Sequence, residues 1–232
     1  MRIYAIAIIA ALSIILSAQT ARGERRECRV VDSVLVVPAG VTEIAEREFT
    51  ERPDIREIRF EGNVLRKIGR SAFAWCPNLR ILHLPEGLDD IGSLAFAYCS
   101  GLEEASFPAS LAHIGANAFA FCTSLREATL PPRLKELESY AFCECSRLER
   151  VVLPANANML GEMLFAGCLG LREIVEPSPT PPPFECNSQP FDPDEFFLYP
   201  KVNLLVPPKS IEKYRSSQGW SLFPLIKGFS SP

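Results

Sequence analysis

A repeat of 23 residues constrains the fold of this chain more than any other feature. Phenylalanine recurs every 23 residues after a first step of 24, and cysteine, leucine and proline keep the same step. Neither helical nor strand periodicity holds four residue types in lockstep over such a distance. The sequence therefore predicts one structural unit stacked on itself. The repeated phenylalanines and cysteines are Phe49, Phe73, Phe96, Phe119, Phe142, Phe165, Cys76, Cys99, Cys122, Cys145 and Cys168.

Each unit contains a short strand followed by a turn. The apolar positions Leu102, Ala105 and Phe107 follow an L-x-x-L-x-L frame, which suits a strand whose alternate residues point inward. Pro108 then ends the strand, because proline cannot donate to a strand ladder. The following Ile-Gly-x-x-Ala-Phe segment favours a helical or 3₁₀ half-turn. One unit alone would expose its apolar side, and stacking buries that side between neighbours.

The combined pattern I-G-x-x-A-F-x-x-C-x-x-L-x-x-I-x-L-P resembles the BspA-like leucine-rich-repeat family of bacterial exported and surface proteins. The resemblance covers about residues 34–176. The end of the chain is similar to the closing segment of that family, through Leu204-Leu205-Val206-Pro207, Tyr214, Gly219-Trp220 and Phe223. The resemblance implies an α/β leucine-rich-repeat solenoid with capping strands at both ends. It also implies surface adhesion or host-matrix binding.

Four segments follow from these patterns. Residues 1–23 have the layout of a secretory signal peptide, with Arg2 before an apolar run and cleavage between residues 18 and 23. An uncleaved N-terminal anchor is the alternative. We expect an N-terminal cap at residues 24–40, about six repeats at residues 41–176, and a proline-rich belt with a C-terminal cap at residues 177–232. The protein is then exported, whether secreted, periplasmic or at the cell surface, without stable membrane insertion after cleavage.

The caps have their own signals. Val34–Val37, followed by Pro38, reads as a degenerate first strand, and Val202–Val206 reads as the last strand. A short helix is predicted over Ser210–Ser216 with Ser210 as its N-cap. Trp220 and Phe223 are expected to cover the last coil.

The cysteines favour packing over chemistry. The five repeated ones occupy one position of successive units, which predicts a buried, reduced ladder, and Cys143 is expected to be buried beside it. Cys28 and Cys186 lie outside the repeats. The Cys143-x-Cys145 spacing does not match a zinc site, so no metal or other cofactor is expected.

Enzyme activity is the least favoured class of function. Only two histidines are present. His113 falls at a solvent position, and His83 has no nucleophile beside it that the sequence can place. We therefore expect no catalytic residues. The formal net charge of −4 and the absence of a basic tract argue against nucleic acid as a partner.

The outward strand positions are the candidate binding residues. They form two columns, which are Glu57, Ile81, Glu104, Glu127, Arg150 and Glu173, and Arg59, His83, Ser106, Thr129, Val152 and Val175. One interpretation is a solvated face, since exposed ion pairs contribute little. The other is a surface that binds an extended protein ligand. The favoured function is protein–protein interaction with a ligand that the sequence does not identify, and a structural or periplasmic assembly scaffold is the alternative.

Overall fold

The chain forms a solenoid of about eight turns. The computed structural model describes residues 27–183, 201–223 and 225–229. The predicted signal peptide and Cys186 lie outside the described residues. The longer strands line one side of the coils: β1 (Arg29–Val31), β2 (Val34–Val37), β4 (Glu57–Phe60), β6 (Ile81–His83), β8 (Glu104–Ser106), β10 (Glu127–Thr129), β12 (Arg150–Val152), β14 (Glu173–Val175), β15 (Asn203–Val206) and β16 (Leu225–Gly228).

Within the described residues, a second side carries six strands of two residues each. These are β3 (Glu43–Ile44), β5 (Lys67–Ile68), β7 (Asp90–Ile91), β9 (His113–Ile114), β11 (Glu136–Leu137) and β13 (Met159–Leu160). They pair in parallel as one sheet in the order β13-β11-β9-β7-β5-β3. The isoleucine or leucine that ends each strand from β3 to β11 is buried, while its neighbour points outward. This alternation is the period of two that a half-buried strand shows.

The third side is built from turns rather than helix. Single turns close with bonds such as Ala72 N–H to Gly69 O and Ala74 N–H to Ser71 O. Alternate N–H groups instead donate to the next coil, as Trp75 N–H does to Ala97 O at 2.8 Å. The sequence favoured a helical or 3₁₀ half-turn here, and the observed turns keep its i→i+3 bonds without continuing into a helix.

Two positions of every turn segment have positive φ. One column contains Ser71 and Leu94, and the other contains Trp75 and Tyr98, all with φ between 53° and 62°. A left-handed conformation costs a non-glycine residue roughly 1–2 kcal/mol. The hydrogen bonds that every such residue donates to the next coil hold it in place. The same ladder therefore fixes the direction of the side chain at each of these positions.

The repeated phenylalanines form one continuous stack through the core. Neighbouring ring centroids from Phe49 to Phe142 lie 5.2–5.4 Å apart, and Phe165 follows at 6.1 Å. Their exposed fractions do not exceed 7%, so each ring is buried between neighbouring coils. Burial of one such side chain contributes roughly 1.5–3 kcal/mol, which makes the stack a main source of stability.

The repeated cysteines lie beside the phenylalanine stack as free thiols. All five are completely buried. Each Sγ–H donates to the backbone carbonyl of the phenylalanine in the preceding coil, at 3.1–3.3 Å. The same carbonyl of Phe96 also accepts the N–H of Cys99. The position thus needs a small side chain that is apolar and can still donate one hydrogen bond, and cysteine meets both needs.

The N-terminal cap is a hairpin. β1 pairs antiparallel with β2, and Asp32 and Ser33 between them have φ of 50° and 66°. Positive φ at both central residues is the geometry of a two-residue hairpin turn that matches strand twist. The sequence predicted β2 but not β1, because Asp-Ser lacks the glycine that usually marks such a turn.

The C-terminal cap contains two strands and a short helix. β15 pairs in parallel with β14 on one side and with β16 on the other. The sequence did not predict β16. The helix α1 spans Ile211–Arg215 after a 3₁₀ turn at Pro208–Ser210, and a second 3₁₀ turn covers Trp220–Leu222. Trp220 and Phe223 are 1% and 2% exposed, so they pack into the end of the core.

Side chains of this cap donate hydrogen bonds to backbone carbonyls of the proline-rich stretch and hold it in place. Ser210 Oγ donates to Pro179 O at 2.8 Å, Tyr214 Oη to Ser178 O at 2.9 Å, and Trp220 Nε1 to Pro182 O at 3.1 Å. The predicted capping role of the Ser210 side chain is wrong. The residue occupies the N-cap position, but its hydroxyl is engaged by Pro179 instead of the helix.

Candidate functional site

The candidate residues of the strand face stand in register. Glu57 pairs with Ile81 and Ile81 with Glu104 in one ladder, and Glu127, Arg150 and Glu173 follow one another in the next. His83 pairs with Ser106, and Thr129 with Val152, in the second column. From β4 to β10 these side chains are exposed. The parallel strands thus present two rows of side chains to solvent, as the alternation of strand residues requires.

Three ion pairs of the described residues lie on this face. Arg80 lies 2.5 Å from Glu103, Arg59 lies 3.1 Å from Glu57, and Arg150 lies 2.6 Å from Glu173. Exposed pairs of this kind contribute roughly 0–1 kcal/mol each. Glu104 and Glu127 differ from them. Among the described residues, neither has a cationic group within ion-pair distance, although they occupy the same position of consecutive coils.

The strand ladder is interrupted between these two glutamates. The strand side divides into two five-stranded sheets, one ending at β8 and the other beginning at β10. The central inward residues on either side of the division are Ala105 and Ala128, where Leu82 and Val151 stand in other coils. Phe107 leans edge-on against Phe119, with ring centroids 5.4 Å apart. β8 and β10 still lie side by side here. The interruption therefore concerns the hydrogen-bonded ladder, and it coincides with the unpaired acids.

The C-terminal end of the face is less polar than the sequence indicated. Val175 was placed in the outward column, but it is 8% exposed and therefore buried. It lies in register between Val152 and Leu205, both of which are only partly exposed. The side chains of Val152, Val175 and Leu205 shield one another from solvent. The polar part of the surface thus runs from β4 to β12.

His83 has a hydroxyl neighbour that the sequence could not place. His83 Nδ1 lies 3.0 Å from Ser106 Oγ on the adjacent strand. The expectation that no nucleophile lies near His83 is therefore wrong. A serine nucleophile also needs its base to be oriented by a third group. Among the described residues no side chain hydrogen-bonds to the other ring nitrogen of His83, so the pair is an incomplete catalytic arrangement on an open surface.

His113 lies on the second sheet in a row of alternating charge. Its Nδ1 lies 2.5 Å from Asp90 Oδ1, and its Nε2 lies 2.9 Å from Glu138 Oε1. Lys67 Nζ continues the row at 3.9 Å from Asp90. Burial alone would lower the pKa of His113, but the two carboxylates outweigh burial and raise the pKa above 6.5. The solvent position predicted for His113 is only one-quarter exposed.

A stacked row of aromatic rings on the turn side is absent from the sequence-based prediction. Trp75, Tyr98 and Phe121 follow the 23-residue step, with centroids 3.9 Å and then 4.5 Å apart and planes within 6° of parallel. Trp75 is 52% exposed. The three positions follow the repeat of the sequence, but they hold three different residue types, so the row was not recognised from residue identity. Aromatic side chains of this kind dominate the energetics of protein interfaces.

The positive-φ ladder, the cysteine column and the phenylalanine stack all follow the 23-residue repeat of the sequence. The profile of the BspA type leucine-rich repeat region matches six copies across residues 66–180. The chain belongs to the BspA-type leucine-rich-repeat family. The family predicted from the repeat pattern is thereby confirmed.

A solved leucine-rich-repeat protein shares the fold. The crystal structure of a leucine-rich repeat protein of T. pallidum has a TM-score of 0.59 and 28% identity, and the match covers 72% of this chain and 86% of that one. A leucine-rich repeat protein of Bacteroides ovatus has a TM-score of 0.46 and 21% identity, covering 84% of this chain and 60% of that one. No curated protein is similar enough to the chain to count as a relative. The predicted leucine-rich-repeat solenoid is confirmed.

Within the described residues, no cluster of three or more histidine, cysteine, aspartate or glutamate side chains is arranged to hold a metal ion. The same residues include no helix long and apolar enough to span a membrane. Leucine-rich-repeat proteins generally bind other proteins, and the stacked strands of a solenoid supply the extended surface for this.

One buried carboxyl lies where the repeats meet the C-terminal cap. Glu176 is completely buried, and its Oε1 accepts the N–H of Ser178 at 2.8 Å. Its Oε2 has no hydrogen-bond partner among the described residues. Burial raises the pKa of Glu176 to about 7. Burial and the nearby Glu176 also raise the pKa of Tyr214, which closes the other side of this junction. The group affects the stability of the cap, because the folded state holds its proton more tightly than the unfolded chain does.

Proposed function

We propose that this chain is an exported, non-enzymatic scaffold that binds a protein partner on its strand face. The observation that carries the proposal is the pair of exposed, unpaired glutamates, Glu104 and Glu127, at the division of the strand ladder. Like charges at neighbouring strand positions are destabilising. Their presence here supports a binding surface, because the other acids of the two columns, Glu57 and Glu173, each pair with an arginine.

The chemistry of the face indicates what the partner contributes. Two carboxylates in line favour a basic segment, since a lysine or arginine placed between them would gain charge-assisted hydrogen bonds to both. Ser106 and Thr129 add hydroxyl groups that donate and accept hydrogen bonds on the same strands. The interrupted ladder supplies a natural place for an extended segment to lie along the strands. The partner we infer is thus an extended, basic region of another protein.

The proposal also includes export of the protein from the cytoplasm. It rests on the signal-peptide pattern of residues 1–23, which lie outside the described residues. Adhesion or host-matrix binding is the specific form that the family resemblance suggests. An assembly scaffold within the periplasm would use the same face and differs only in the partner.

The proposal is tested by binding to immobilised proteins. The purified protein is passed over extracellular matrix proteins and over bacterial surface proteins, and affinities are measured for any that retain it. The variant Glu104→Lys/Glu127→Lys is compared with the control Glu61→Lys/Glu86→Lys, which changes charge equally outside the two columns. We expect the first variant to lose about tenfold or more in affinity, because each reversed charge replaces attraction with repulsion. Equal affinities of the two variants would contradict the strand face as the binding surface, and retention by none of the immobilised proteins would contradict adhesion.

A further inference from the structure

We propose that the aromatic row on the turn side is a second binding surface, which accepts an arginine side chain from a partner protein. The surface consists of Trp75, Tyr98 and Phe121, with Glu51 at its N-terminal end. It lies apart from the strand face and does not depend on the function proposed for that face.

The row is open at one end. One face of the Trp75 indole packs on Tyr98 at a centroid distance of 3.9 Å, yet half of the tryptophan remains exposed. The row of rings ends at Trp75, because the equivalent position of the preceding coil carries no ring. Tyr98 and Phe121 are only partly exposed and rest on the buried Ala97, Ala120 and Cys143. A stack of three rings on an apolar base is rigid, so little conformational entropy is lost when a partner binds to it.

Glu51 occupies the position that a fourth ring would take. Its N–H donates to Ala74 O at 2.9 Å, just as the N–H of Trp75 donates to Ala97 O. Its φ of 58° matches the 61° of Trp75, so both side chains leave the backbone in the same direction. The Glu51 side chain is exposed. The backbone thereby places a side chain that ends in a carboxylate one coil away from the Trp75 indole.

An arginine side chain fits this combination better than other groups do. Its planar guanidinium can stack on the indole and extend the row by one layer, and its N–H groups can reach a carboxylate in the same plane. A lysine ammonium is attracted to an aromatic face as well, but it cannot stack. A neutral sugar would gain the apolar contact without the charge of Glu51. The complementary charge therefore selects the arginine.

The two tryptophans of the chain allow a direct measurement. Trp75 is half exposed, whereas Trp220 is 1% exposed, so acrylamide quenches the fluorescence of Trp75 selectively. The probe is a peptide of alternating glycine and arginine, and its lysine counterpart has the same charge. We expect the arginine peptide to protect Trp75 from acrylamide and to bind about fivefold more tightly than the lysine peptide.

Variants assign the binding to individual residues. Glu51→Gln is expected to weaken binding of the arginine peptide about fivefold, whereas the control Glu46→Gln, on the same turn but outside the row, leaves it unchanged. Trp75→Ala is expected to abolish binding. Because that variant also removes a stacking partner, Trp75→Phe serves beside it, keeping a ring but weakening its attraction for cations. Glu104→Lys/Glu127→Lys is expected to leave the affinity for the arginine peptide unchanged, so this surface and the strand face succeed or fail separately.

Three outcomes would overturn the proposal. The first is equal binding of the arginine and lysine peptides, which would show attraction by net charge alone. The second is unchanged affinity in Glu51→Gln and Trp75→Phe. The third is protection of Trp75 by a neutral cello-oligosaccharide but not by the arginine peptide, which would assign the row to carbohydrate.

Discussion

At the scale of single residues, irregular positions carry more information about function than repeated ones do. The repeated phenylalanines and cysteines are explained by packing, since each is buried and contacts its counterpart in the next coil. Glu104, Glu127, Trp75 and Glu51 are not required by the core. They break the local pattern of charge or exposure, and both proposed surfaces are built from them.

His113 offers a prediction at this scale. Its two carboxylate partners favour the imidazolium, so the pKa of His113 is expected above 6.5 in the folded protein. The pair of contacts then stabilises the fold fully below the unfolded pKa, and this contribution is lost as the pH rises through the folded pKa. NMR titration of the histidine ring resonances measures the value directly.

The variants Glu138→Gln and Asp90→Asn are each expected to lower the pKa of His113, because each removes one of the two negative charges. Glu86→Gln, on an exposed turn, is the matched control and leaves the titration unchanged. A value at or below 6.5 in the unmodified protein would show that burial outweighs the carboxylates.

Much of the residue pattern could be predicted from the sequence, and particular residues show why the rest could not. Identical residues at a fixed step, such as Phe96 and Phe119, are enough to predict a stacked column from the sequence alone. Trp75 and Tyr98 share that step but differ in type, so only their contact in space reveals the row. The bond between His83 and Ser106 likewise depends on which strands become neighbours and in what register.

At the scale of elements, the cysteine ladder acts as a hydrogen-bonded column rather than a set of disulfides. Burial raises the pKa values of the Cys99, Cys122 and Cys168 thiols well above their usual range. Little thiolate therefore forms at these three positions, and the thiolate is the reactive form. A hydrogen bond with Cys99 lowers the pKa of the Cys76 thiol, but that side chain is completely buried. The ladder is therefore expected to resist oxidation even in an oxidising compartment.

Thiol titration tests this expectation. In unfolding buffer without reductant, at least the six described cysteines from Cys76 to Cys168 are expected to react, and in the folded protein they are expected to react far more slowly. Protein reduced before unfolding gives the total for comparison. Recovery of only a few free thiols from the unreduced protein would mean that the cysteines form disulfides.

The C-terminal cap gives a second prediction for an element. The pKa of Glu176 is about 7 in the folded protein and 4.5 when unperturbed, so the folded state holds its proton more tightly. Stability is therefore full below pH 4.5, falls as the pH rises toward 7, and stays lower above that. The total loss is about 3 kcal/mol, from the difference between the two pKa values.

Urea unfolding across this pH range measures the effect. Glu176→Gln has nearly the same shape without the charge, so we expect it to remove this pH dependence and to raise stability above pH 7. Glu86→Gln is the exposed control and should retain the pH dependence of the unmodified protein. If the free energy of unfolding of Glu176→Gln depended on pH in the same way as that of the unmodified protein, Glu176 would not be the cause of the pH dependence.

The elements at the ends of the solenoid were harder to predict than the repeats. β1 and β16 lie outside the repeating pattern, and each forms because it pairs with the strand beside it. Ser210 shows the same limit. Local sequence placed it correctly at the start of a helix, but the carbonyl of Pro179, 31 residues away, determines where its hydroxyl points.

At the scale of the whole molecule, the solenoid separates stability from recognition. One continuous core of stacked side chains fixes the backbone, and hairpin and cap cover its two ends. The strand side and the turn side are then free to carry different chemistry. The strand side presents carboxylates over an interrupted ladder, and the turn side presents stacked rings, so the two proposed binding surfaces lie on separate sides of the solenoid.

Hydrogen–deuterium exchange with and without a bound partner tests the central claim most directly, because it reports where along the chain the partner lies. In the free protein, the amides around Glu104–Ser106 and Glu127–Thr129 are expected to exchange faster than those of β12 and β14, since the ladder is interrupted between them. On binding of a protein partner, these same two segments are expected to gain the most protection. Protection confined to the second sheet, around His113–Ile114 and Glu136–Leu137, would contradict the strand face as the surface that this protein uses.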